Sequence, residues 1–298
     1  MVSNDQIAVV ITSYNCESTI GPAITSALSQ TQRPSQIIVV DDGSTDSTVS
    51  EILHFSDEVK LVQQPNGGPS SARNRGMSET QAEWIAFLDG DDLWHKDKLA
   101  RQIQTINSYP ELDLLATSWS RSDPAPNFFT MNLSRISYVS LLVMNRFQTS
   151  TVLVKKAALQ RCGGFDSALD SVEDWGAWLH LSREHQIAIL EEPLVLYRDT
   201  PTGVSKDLCT FFDKMLLLLE QEQDAGLVNE NLFKTIAAWH YLRLATAMTL
   251  ENHYQDTLKV LFKLLNSPYK PATASALRQY LFPFLLSRVQ RRRQLAAQ

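Results

Sequence analysis

Phe87-Leu88-Asp89-Gly90-Asp91-Asp92 is the sharpest signal in the chain, because an apolar run ends abruptly in three carboxylates within four residues. The apolar part, Trp84–Leu88, predicts a buried strand. Three earlier segments have the same form, a short apolar run followed by polar or glycine residues. The runs are Ile7–Ile11, Ile37–Val40 and Val59–Val62, and the polar segments after them are Thr12–Asn15, Asp41–Asp46 and Asn66–Pro69.

Helical spacing of apolar and small residues appears between these runs, over Ser18–Ser29, Asp46–Phe55 and Ser70–Thr80. Strand and helix in alternation predict an α/β fold with a parallel sheet covered by helices on both faces. Ligands bind such sheets beyond the carboxyl ends of the strands. The four polar segments are therefore expected to meet along one edge and form a site.

The bulk composition is that of an ordinary globular protein, with 298 residues, 44% hydrophobic and 20% charged. No run approaches the roughly 18 apolar residues of a membrane span. Met1–Asp5 lacks the basic and apolar regions of a cleaved signal peptide. Three widely spaced cysteines without a Cys-x-x-Cys pair predict reduced thiols, not zinc or disulfides. These features favour a cytoplasmic location.

Two domains are predicted, 1–205 and 206–298. The second half of the first domain has looser patterns. They predict a strand at Thr151–Val154, a helix at Val172–Glu184, and strands at Ile187–Leu190 and Leu194–Tyr197 on either side of Pro193. From about Lys206 onward nearly every segment has helical spacing, which predicts a C-terminal α-helical region.

The C-terminal region is strongly basic, with no acidic residue after Asp256 and eight lysines and arginines. Such a tail suits a polyanionic surface, although a solvated helix end explains it equally well. Nucleic acid is not expected, because the basic residues lack interleaved aromatic side chains. Peripheral membrane contact is a further interpretation, with the basic residues Arg288 and Arg291–Arg293 near anionic headgroups. Its apolar residues at helical spacing are Leu277, Tyr280, Leu281, Phe284 and Leu285. Pro283 interrupts that helix, and an ordinary packed C-terminal helix fits the pattern at least as well.

The carboxylates at the end of Trp84–Leu88 repel one another unless a cation or hydrogen-bond donors compensate them. Oxygen ligands suit Mg²⁺ or Mn²⁺, and both ions leave coordination positions open for phosphate oxygens and water. The structural alternative is a turn in which an aspartate, such as Asp92, caps a helix starting near His95 or Lys96.

Asp41 and Asp42 also end a strand and need partners, whereas Ser44 or Asp46 can cap the following helix. No glycine-rich phosphate loop is present, so a metal and arginine are expected to neutralise a diphosphate. The helix predicted after Gly67-Gly68 suits an anion at its N-terminus, with Arg73 in its first turn.

Glu173 and Asp174 open another predicted helix. They can serve the helix dipole, or one of them can be a general base tuned by the neighbouring Trp175. Both interpretations remain open from the sequence alone.

Six motifs in this order and spacing resemble the family 2 glycosyltransferases, over roughly residues 5–205. They are Val10–Asn15, Asp41–Asp46, Gly68–Gly76, Phe87–Asp92, Cys162-Gly163-Gly164-Phe165-Asp166 and Glu173-Asp174-Trp175. The resemblance implies the GT-A nucleotide-sugar-binding (Rossmann-like) fold, a mixed sheet flanked by helices, with Mn²⁺ or Mg²⁺ as cofactor. It also implies transfer of a sugar from a nucleotide-diphosphate sugar, with UDP-sugar favoured, to a hydroxyl of a glycan or lipid-linked acceptor.

Residue roles follow from the resemblance alone. Thr12 and Asp42 are expected at the base with Tyr14 nearby, Arg73 at the nucleotide, and Asp89 near the ribose or a metal-bound water. Asp91 matches the metal ligand of the Asp-x-Asp motif. Asp174 matches the general base of inverting members.

Two departures from the family pattern qualify these expectations. Many relatives carry a histidine two residues after a Tyr-Arg pair, whereas Tyr197-Arg198 is followed by Asp199 and Thr200. Three interpretations remain open: Arg198 takes the role of the histidine, Thr200 takes it with weaker binding, or the affinity for the metal is low. The processive members' Gln-x-x-Arg-Trp motif is absent from the sequence, which favours a non-processive enzyme. The alternative hypothesis is a catalytically silent nucleotide-sugar-binding module.

Overall fold

The computed structural model describes residues 2–122, 132–198 and 207–285. The chain divides into two compact units, Met1–Gly203 and Val204–Gln298. Some residues on which the expectations above depend lie outside the described residues, namely Thr200, Arg288 and Arg291–Arg293.

The first unit alternates strands and helices. Its strands are β1 Ile7–Ser13, β2 Gln36–Asp41, β3 Lys60–Gln63, β4 Trp84–Asp89, β5 Leu93–Trp94, β6 Leu112–Ser120, β7 Leu133–Ile136, β8 Leu153–Lys155 and β9 Gln186–Leu196. Its helices are α1 Ile20–Leu28, α2 Thr48–Leu53, α3 Gly68–Ser78, α4 Lys98–Ser108, α5 Tyr138–Val143, α6 Lys156–Arg161 and α7 Glu173–Ser182.

Within the described residues, nine strands form one mixed sheet in the order β3-β2-β1-β4-β8-β6-β9-β5, with β7 paired to β9. The neighbours β3, β2, β1 and β4 are mutually parallel. β8 runs antiparallel to both β4 and β6, and β6 is parallel to β9. The mixed α/β sheet that the resemblance implied is confirmed. The alternation of strands and helices had predicted a parallel sheet. Periodicity carries no information on strand direction, so it could not reveal the antiparallel strand β8.

Helices cover both faces of this sheet because alternate residues of each strand point to opposite sides. Ile7, Val9 and Ile11 of β1 belong to the large core cluster that includes residues of α1 and α4. On the other face, Val10 of β1 meets Gly76 of α3. A Cβ atom at Gly76 would lie 2.3 Å from the Val10 side chain, so α3 packs unusually close to the sheet.

Two sequence-based expectations in this unit were wrong. The two strands predicted on either side of Pro193 are one strand, β9, and its register shifts against β6 at Ser118, which is paired with Pro193. Proline lacks an N–H and is tolerated in a strand at such an irregularity. The helix expected near His95 begins instead at Lys98, after Asp97.

The second unit is helical, as predicted for the C-terminal region. Its elements are α8 Leu208–Ala225, α9 Glu230–Leu250, α10 Tyr254–Leu265, α11 Thr273–Ala276 and a π-helical turn at Leu277–Leu281. Gly226, at φ 64°, ends α8. The chain stays helical through Pro283 to Leu285, so the helix does not end there as expected; the π-helical turn just before it accommodates the proline, which cannot donate the α-helical hydrogen bond.

The C-terminal apolar residues contact the interior of this unit. The rings of Tyr280 and Phe284 lie 5.9 and 5.5 Å from that of the buried Trp239, and Leu281 is buried. In residues 2–122, 132–198 and 207–285, no helix is both long and apolar enough to cross a bilayer.

Candidate active site

The carboxyl end of β4 is the centre of a hydrogen-bonded network. Asp89 Oδ1 accepts from Thr12 Oγ1 at 3.2 Å, across the adjacent end of β1, and from Arg73 Nη2 of α3 at 2.9 Å. The Asp89 N–H donates to Ser150 Oγ at 3.0 Å, just before β8. Two elements therefore bond the Asp89 carboxylate and a third holds its backbone, at the edge where the topology predicts ligand binding.

Arg73 joins this carboxylate to the start of α7. Its Nη1 donates to Glu173 Oε1 at 2.6 Å, and its guanidinium carbon lies 5.4 Å from the centre of the Phe165 ring. Arg73 is 6% exposed. Burial opposes its charge, but the charges of Asp89 and Glu173 outweigh burial and raise the pKa of Arg73. The helix begins at Gly68, so Arg73 lies in the second turn of α3 rather than the first.

Packing of aromatic side chains fixes α7 against β4. Phe165 meets Phe87 of β4 edge to face, with ring centroids 5.2 Å apart, and meets Trp178 of α7 at 5.7 Å. Trp178 also lies 5.7 Å from Phe147. These large rings hold the first residues of α7 beside the end of β4.

Asp174 lies at the start of α7 and is half-buried. Its Oδ1 accepts from the Trp175 N–H at 2.5 Å and its Oδ2 from Asn145 Nδ2 at 3.1 Å. Burial, followed by the negative charge of Glu173, raises the pKa of Asp174 to about 7, against the opposing effect of Arg73. A carboxylate with a pKa near neutrality is suited to general-base chemistry.

Asp92 is enclosed behind the Asp89–Asp91 turn. It is 1% exposed, and its Oδ1 accepts from the Arg198 N–H at 3.1 Å. Burial and the negative charges of Asp89 and Asp91 raise the pKa of Asp92 to about 8. Asp92 precedes β5, so the proposed capping role was wrong. Asp97 occupies the position before α4.

Arg198 supports the same turn from the end of β9. Its Nε donates to the Asp91 carbonyl oxygen, and its Nη2 donates to the Thr19 carbonyl at 3.3 Å. The guanidinium therefore fixes the backbone of the Asp89–Asp91 turn. A positive charge held there can also face a bound anion on its open side.

A divalent cation fits this end of the site by the chemistry of its donors. Asp89 and Asp91 offer hard oxygen ligands. The pKa of the neighbouring Asp92 is raised first by burial and then by the negative charges of Asp89 and Asp91, so the turn concentrates negative charge that a cation would offset. In the described part of the chain, no three acidic, histidine or cysteine side chains form a ready-made metal cluster. Mg²⁺ is commonly bound by one or two carboxylates, with phosphate and water completing its coordination, so a small protein ligand set suffices.

The Asp42 carboxylate accepts hydrogen bonds from neighbouring residues of the protein. Its Oδ1 accepts from the Gly67 N–H at 3.0 Å and from Gln64 Nε2 at 2.7 Å, and its Oδ2 from the Gly68 N–H at 2.8 Å. The anion expected at the start of α3 is therefore this buried carboxylate. Asp41 is paired separately, with Ser44 Oγ at 2.5 Å.

Most of the predicted site residues therefore fall into two hydrogen-bonded groups, and Tyr14 lies apart from them in the loop after β1. Arg73 connects Thr12 and Asp89 with Glu173, the neighbour of Asp174, whereas Arg198 connects Asp91 with Asp92. Tyr14 is 52% exposed in the loop after β1. The sequence analysis missed Ser150, Asn145 and Gln64, which support these groups, because single polar residues in loops carry no pattern.

Comparison with known proteins defines the class. Residues 8–167 match the model of Glycosyl transferase family 2. That match covers more than half of the chain, and the chain belongs to this family. The fold class is accordingly GT-A, with a helical C-terminal region.

Relatives agree with this assignment. An uncharacterized glycosyltransferase of Haemophilus influenzae is 33% identical over 162 residues, 52% of this chain and 64% of the relative. One of Rickettsia typhi is 28% identical over 201 residues, 64% of this chain and 63% of the relative. The chain thus spans less than two thirds of the length of these relatives. In Escherichia coli, the UDP-Glc:alpha-D-GlcNAc-diphosphoundecaprenol beta-1,3-glucosyltransferase WfaP is 29% identical over 59% of this chain and 69% of WfaP.

Solved structures share the fold at lower identity. S. aureus TarS 1–349 in complex with UDP-GlcNAc superposes with a TM-score of 0.65 and 20% identity, over 91% of this chain and 79% of TarS 1–349. The Pyrobaculum calidifontis mannosyltransferase PcManGT, in complex with GDP-Man and Mn²⁺, gives 0.63 and 17%, over 94% and 83%.

Proposed function

We propose that this glycosyltransferase moves a sugar from a UDP-sugar to a hydroxyl of a glycan or lipid-linked acceptor and inverts the anomeric configuration. One observation carries the proposal. Arg73 links Asp89 of the metal motif to Glu173, and the adjacent Asp174 has a pKa of about 7. A charge-stabilising group and a candidate base are thereby held by one framework.

Asp174 is the proposed general base. Its carboxylate takes the proton from the acceptor hydroxyl, whose oxygen forms a bond to the anomeric carbon on the face opposite the diphosphate. The bond from the anomeric carbon to the diphosphate oxygen breaks, and the nucleoside diphosphate leaves with that electron pair. A single displacement of this kind inverts the anomeric centre.

Asp91 is the proposed ligand of Mn²⁺ or Mg²⁺, with Asp89 beside it. The bound cation supplies neutralisation of the negative charge that develops on the leaving diphosphate. Arg198 is hydrogen-bonded to the Asp91 carbonyl and adds a positive charge behind the turn. This placement supports the interpretation that Arg198 takes the role of the histidine that many relatives carry. Arg73 orients Asp89 and approaches the nucleotide.

We assign the binding of the nucleobase of the donor to the loops after β1 and β2. Asp42 holds Gly67 and Gly68 in place, which supports a role in forming the wall of the base pocket together with Thr12 and Tyr14. UDP is favoured because WfaP uses UDP-Glc. The fold itself does not decide the base, since PcManGT was solved with GDP-Man.

A lipid-linked acceptor is supported by the E. coli relatives. WfaP and WfgD are both named as glucosyltransferases acting on GlcNAc-diphosphoundecaprenol. A water-soluble donor and a membrane-anchored acceptor would meet at the inner face of the membrane, and we infer a cytoplasmic location there. Glycan or polysaccharide biosynthesis is the corresponding process.

A thermal-shift panel tests the donor and the metal together. UDP, GDP, CDP, TDP and their common sugars are each measured with and without Mn²⁺. We expect a metal-dependent rise in melting temperature for UDP and UDP-sugars, because a ligand that binds the native state stabilises it by mass action. Asp91→Asn should lose this rise. Asp57→Asn, at an exposed position before β3, is the matched control and should keep it.

Three results would contradict parts of the proposal. A rise that is equal with and without metal would remove Asp91 from its assigned role. No rise with any nucleotide in the presence of Mn²⁺ would leave neither a transferase nor a nucleotide-sugar-binding module. Donor binding without turnover on any acceptor would instead favour the silent module.

A further inference from the structure

α10 carries an apolar stripe on its outer side. Tyr254, Leu258, Phe262 and Leu265 are each 57% to 69% exposed. They are spaced by four, four and three residues, so they lie along one face of the helix. A row of four large exposed hydrophobic side chains marks a site of interaction rather than ordinary surface.

This stripe is distinct from the side by which α10 packs. Val260 and Leu264 are buried at 2% and anchor the helix to its unit. α10 therefore has apolar residues on two sides, although one suffices to attach it.

The C-terminal residues that first suggested membrane contact are a weaker candidate. Tyr280 and Phe284 pack against Trp239, and Leu281 is buried. Those three side chains therefore pack in the interior of the unit and are not available to a membrane. Among the described residues of this unit, Leu227, Leu250 and Phe282 are also exposed but lie in three different segments, whereas α10 carries four exposed hydrophobic side chains in one row.

Positive charge accompanies the stripe. Lys259 and Lys263 lie on α10, with side chains 72% and 50% exposed. Their ion pairs, with Asp256 and Asp213, are at the surface and are readily exchanged for other anions. From Thr257 onward the sequence contains eight basic and no acidic residues.

We propose that α10 is a membrane-binding helix, which lies in the plane of an anionic lipid surface with Tyr254, Leu258, Phe262 and Leu265 inserted among the acyl chains. Helices that bind in this way combine an apolar face with lysines that reach the headgroups. A symmetric contact between two copies through the stripe would bring the lysines of both copies together, whereas phosphate headgroups neutralise them. The proposal deepens the proposed function by naming the surface that presents a lipid-linked acceptor, and to that extent it rests on that function.

Vesicle sedimentation of the full chain tests this role without nucleotide, metal or acceptor. We expect binding to vesicles of phosphatidylglycerol and phosphatidylethanolamine, and at least tenfold weaker partitioning onto phosphatidylcholine alone. Leu258→Asp combined with Phe262→Asp should lower partitioning onto the anionic vesicles at least tenfold. Leu227→Asp combined with Leu53→Asp makes the same type of change at two exposed positions outside α10 and should bind as wild type does.

Circular dichroism melts confirm that each variant is folded before it is compared. Equal partitioning of wild type and the α10 variant would overturn the proposal, and so would absence of wild-type binding to anionic vesicles. A concentration-dependent dimer in light scattering that the α10 variant abolishes would assign the stripe to a second copy and also overturn it. Asp91→Asn should bind vesicles normally, so failure of the proposed function and failure of this inference give different results.

Discussion

Arg73 and Glu173 form a hydrogen-bonded ion pair of 2.6 Å although one hundred residues separate them in sequence. The other terminal nitrogen of Arg73 binds Asp89. The pair therefore ties the start of α7, which carries Asp174, to the end of β4. A displacement of α7 would leave buried charge unpaired, so the distance between the candidate base Asp174 and Asp89 is stiffly held.

Replacing Arg73 by Met should therefore lower the free energy of unfolding by about 3–5 kcal/mol, because it strands the buried carboxylate of Glu173. Adding Glu173→Gln to Arg73→Met should recover part of the loss, with a coupling of about 0.5–3 kcal/mol. Urea unfolding of the wild type, both single variants and the double variant measures this. Arg75→Met, which breaks an exposed pair with Glu79, is the control and should change the free energy of unfolding much less than Arg73→Met does. Strict additivity of the two changes would contradict the linkage.

Asp174→Asn should reduce kcat by about 10²–10⁴-fold, because the acceptor hydroxyl loses its base. UDP binding in the thermal-shift assay should remain as in wild type, since Asp174 is not assigned to the nucleotide. Asp57→Asn serves as the control for the same chemical change at an exposed position. Full turnover by Asp174→Asn would assign the base to another group.

The pH dependence of kcat/KM should have an acidic limb near pH 7, below which Asp174 of the free enzyme is protonated and cannot act as a base. The hydrogen bond from Asn145 lowers the pKa of Asp174 by stabilising its charged form, so Asn145→Ala should move the limb to higher pH. The negative charge of Glu173 raises that pKa, so Glu173→Gln should move the limb to lower pH. Full pH–rate profiles of the three proteins measure both shifts. Identical profiles would show that Asp174 does not set the limb.

Gly68→Ala should destabilise the protein more than Gly163→Ala. Both glycines have similar positive φ, 85° and 93°, so the conformational cost of a side chain is about 1–2 kcal/mol at each. At Gly68 the new Cβ would also lie 2.2 Å from Asp170 Oδ2, whereas nothing lies within 4 Å at Gly163. That contact should add about 1–3 kcal/mol. Equal losses for the two variants, measured by urea unfolding, would show that the Asp170 carboxylate moves aside freely.

Sequence periodicity predicted the first four strands and the three helices between them within about two residues, because β1, β2 and β4 are almost completely buried and their apolar runs are continuous. It also located the polar segments at the carboxyl ends. It could not give the direction of β8, whose three residues pair antiparallel with Trp84–Ala86 of β4. Strand direction is set by tertiary pairing, not by the pattern of a short run.

The site residues were nominated by their motif positions, but their partners were not. The link from Asp89 through Arg73 to Glu173, and the support of Asp174 by Asn145, join residues 16, 100 and 29 positions apart. Such pairs leave no spacing rule in one sequence. The misplaced helix start near His95 has a similar cause, since the short strand β5 between Asp92 and α4 exists only through its pairing with β9.

The reversed direction of β8 has an evolutionary consequence. Because β8 runs against β4 and β6, the carboxyl edge between them is closed by the short turn at Thr149–Thr151 instead of a strand-to-helix loop. The ends of β1 and β4, where Thr12 contacts Asp89, thus lie on one side of this turn, and the end of β6 lies on the other. On the proposed function, a lineage can alter residues on the β6 side while the residues that hold Asp89 stay unchanged. One reversed strand thereby lets part of the edge diversify while the donor end is kept.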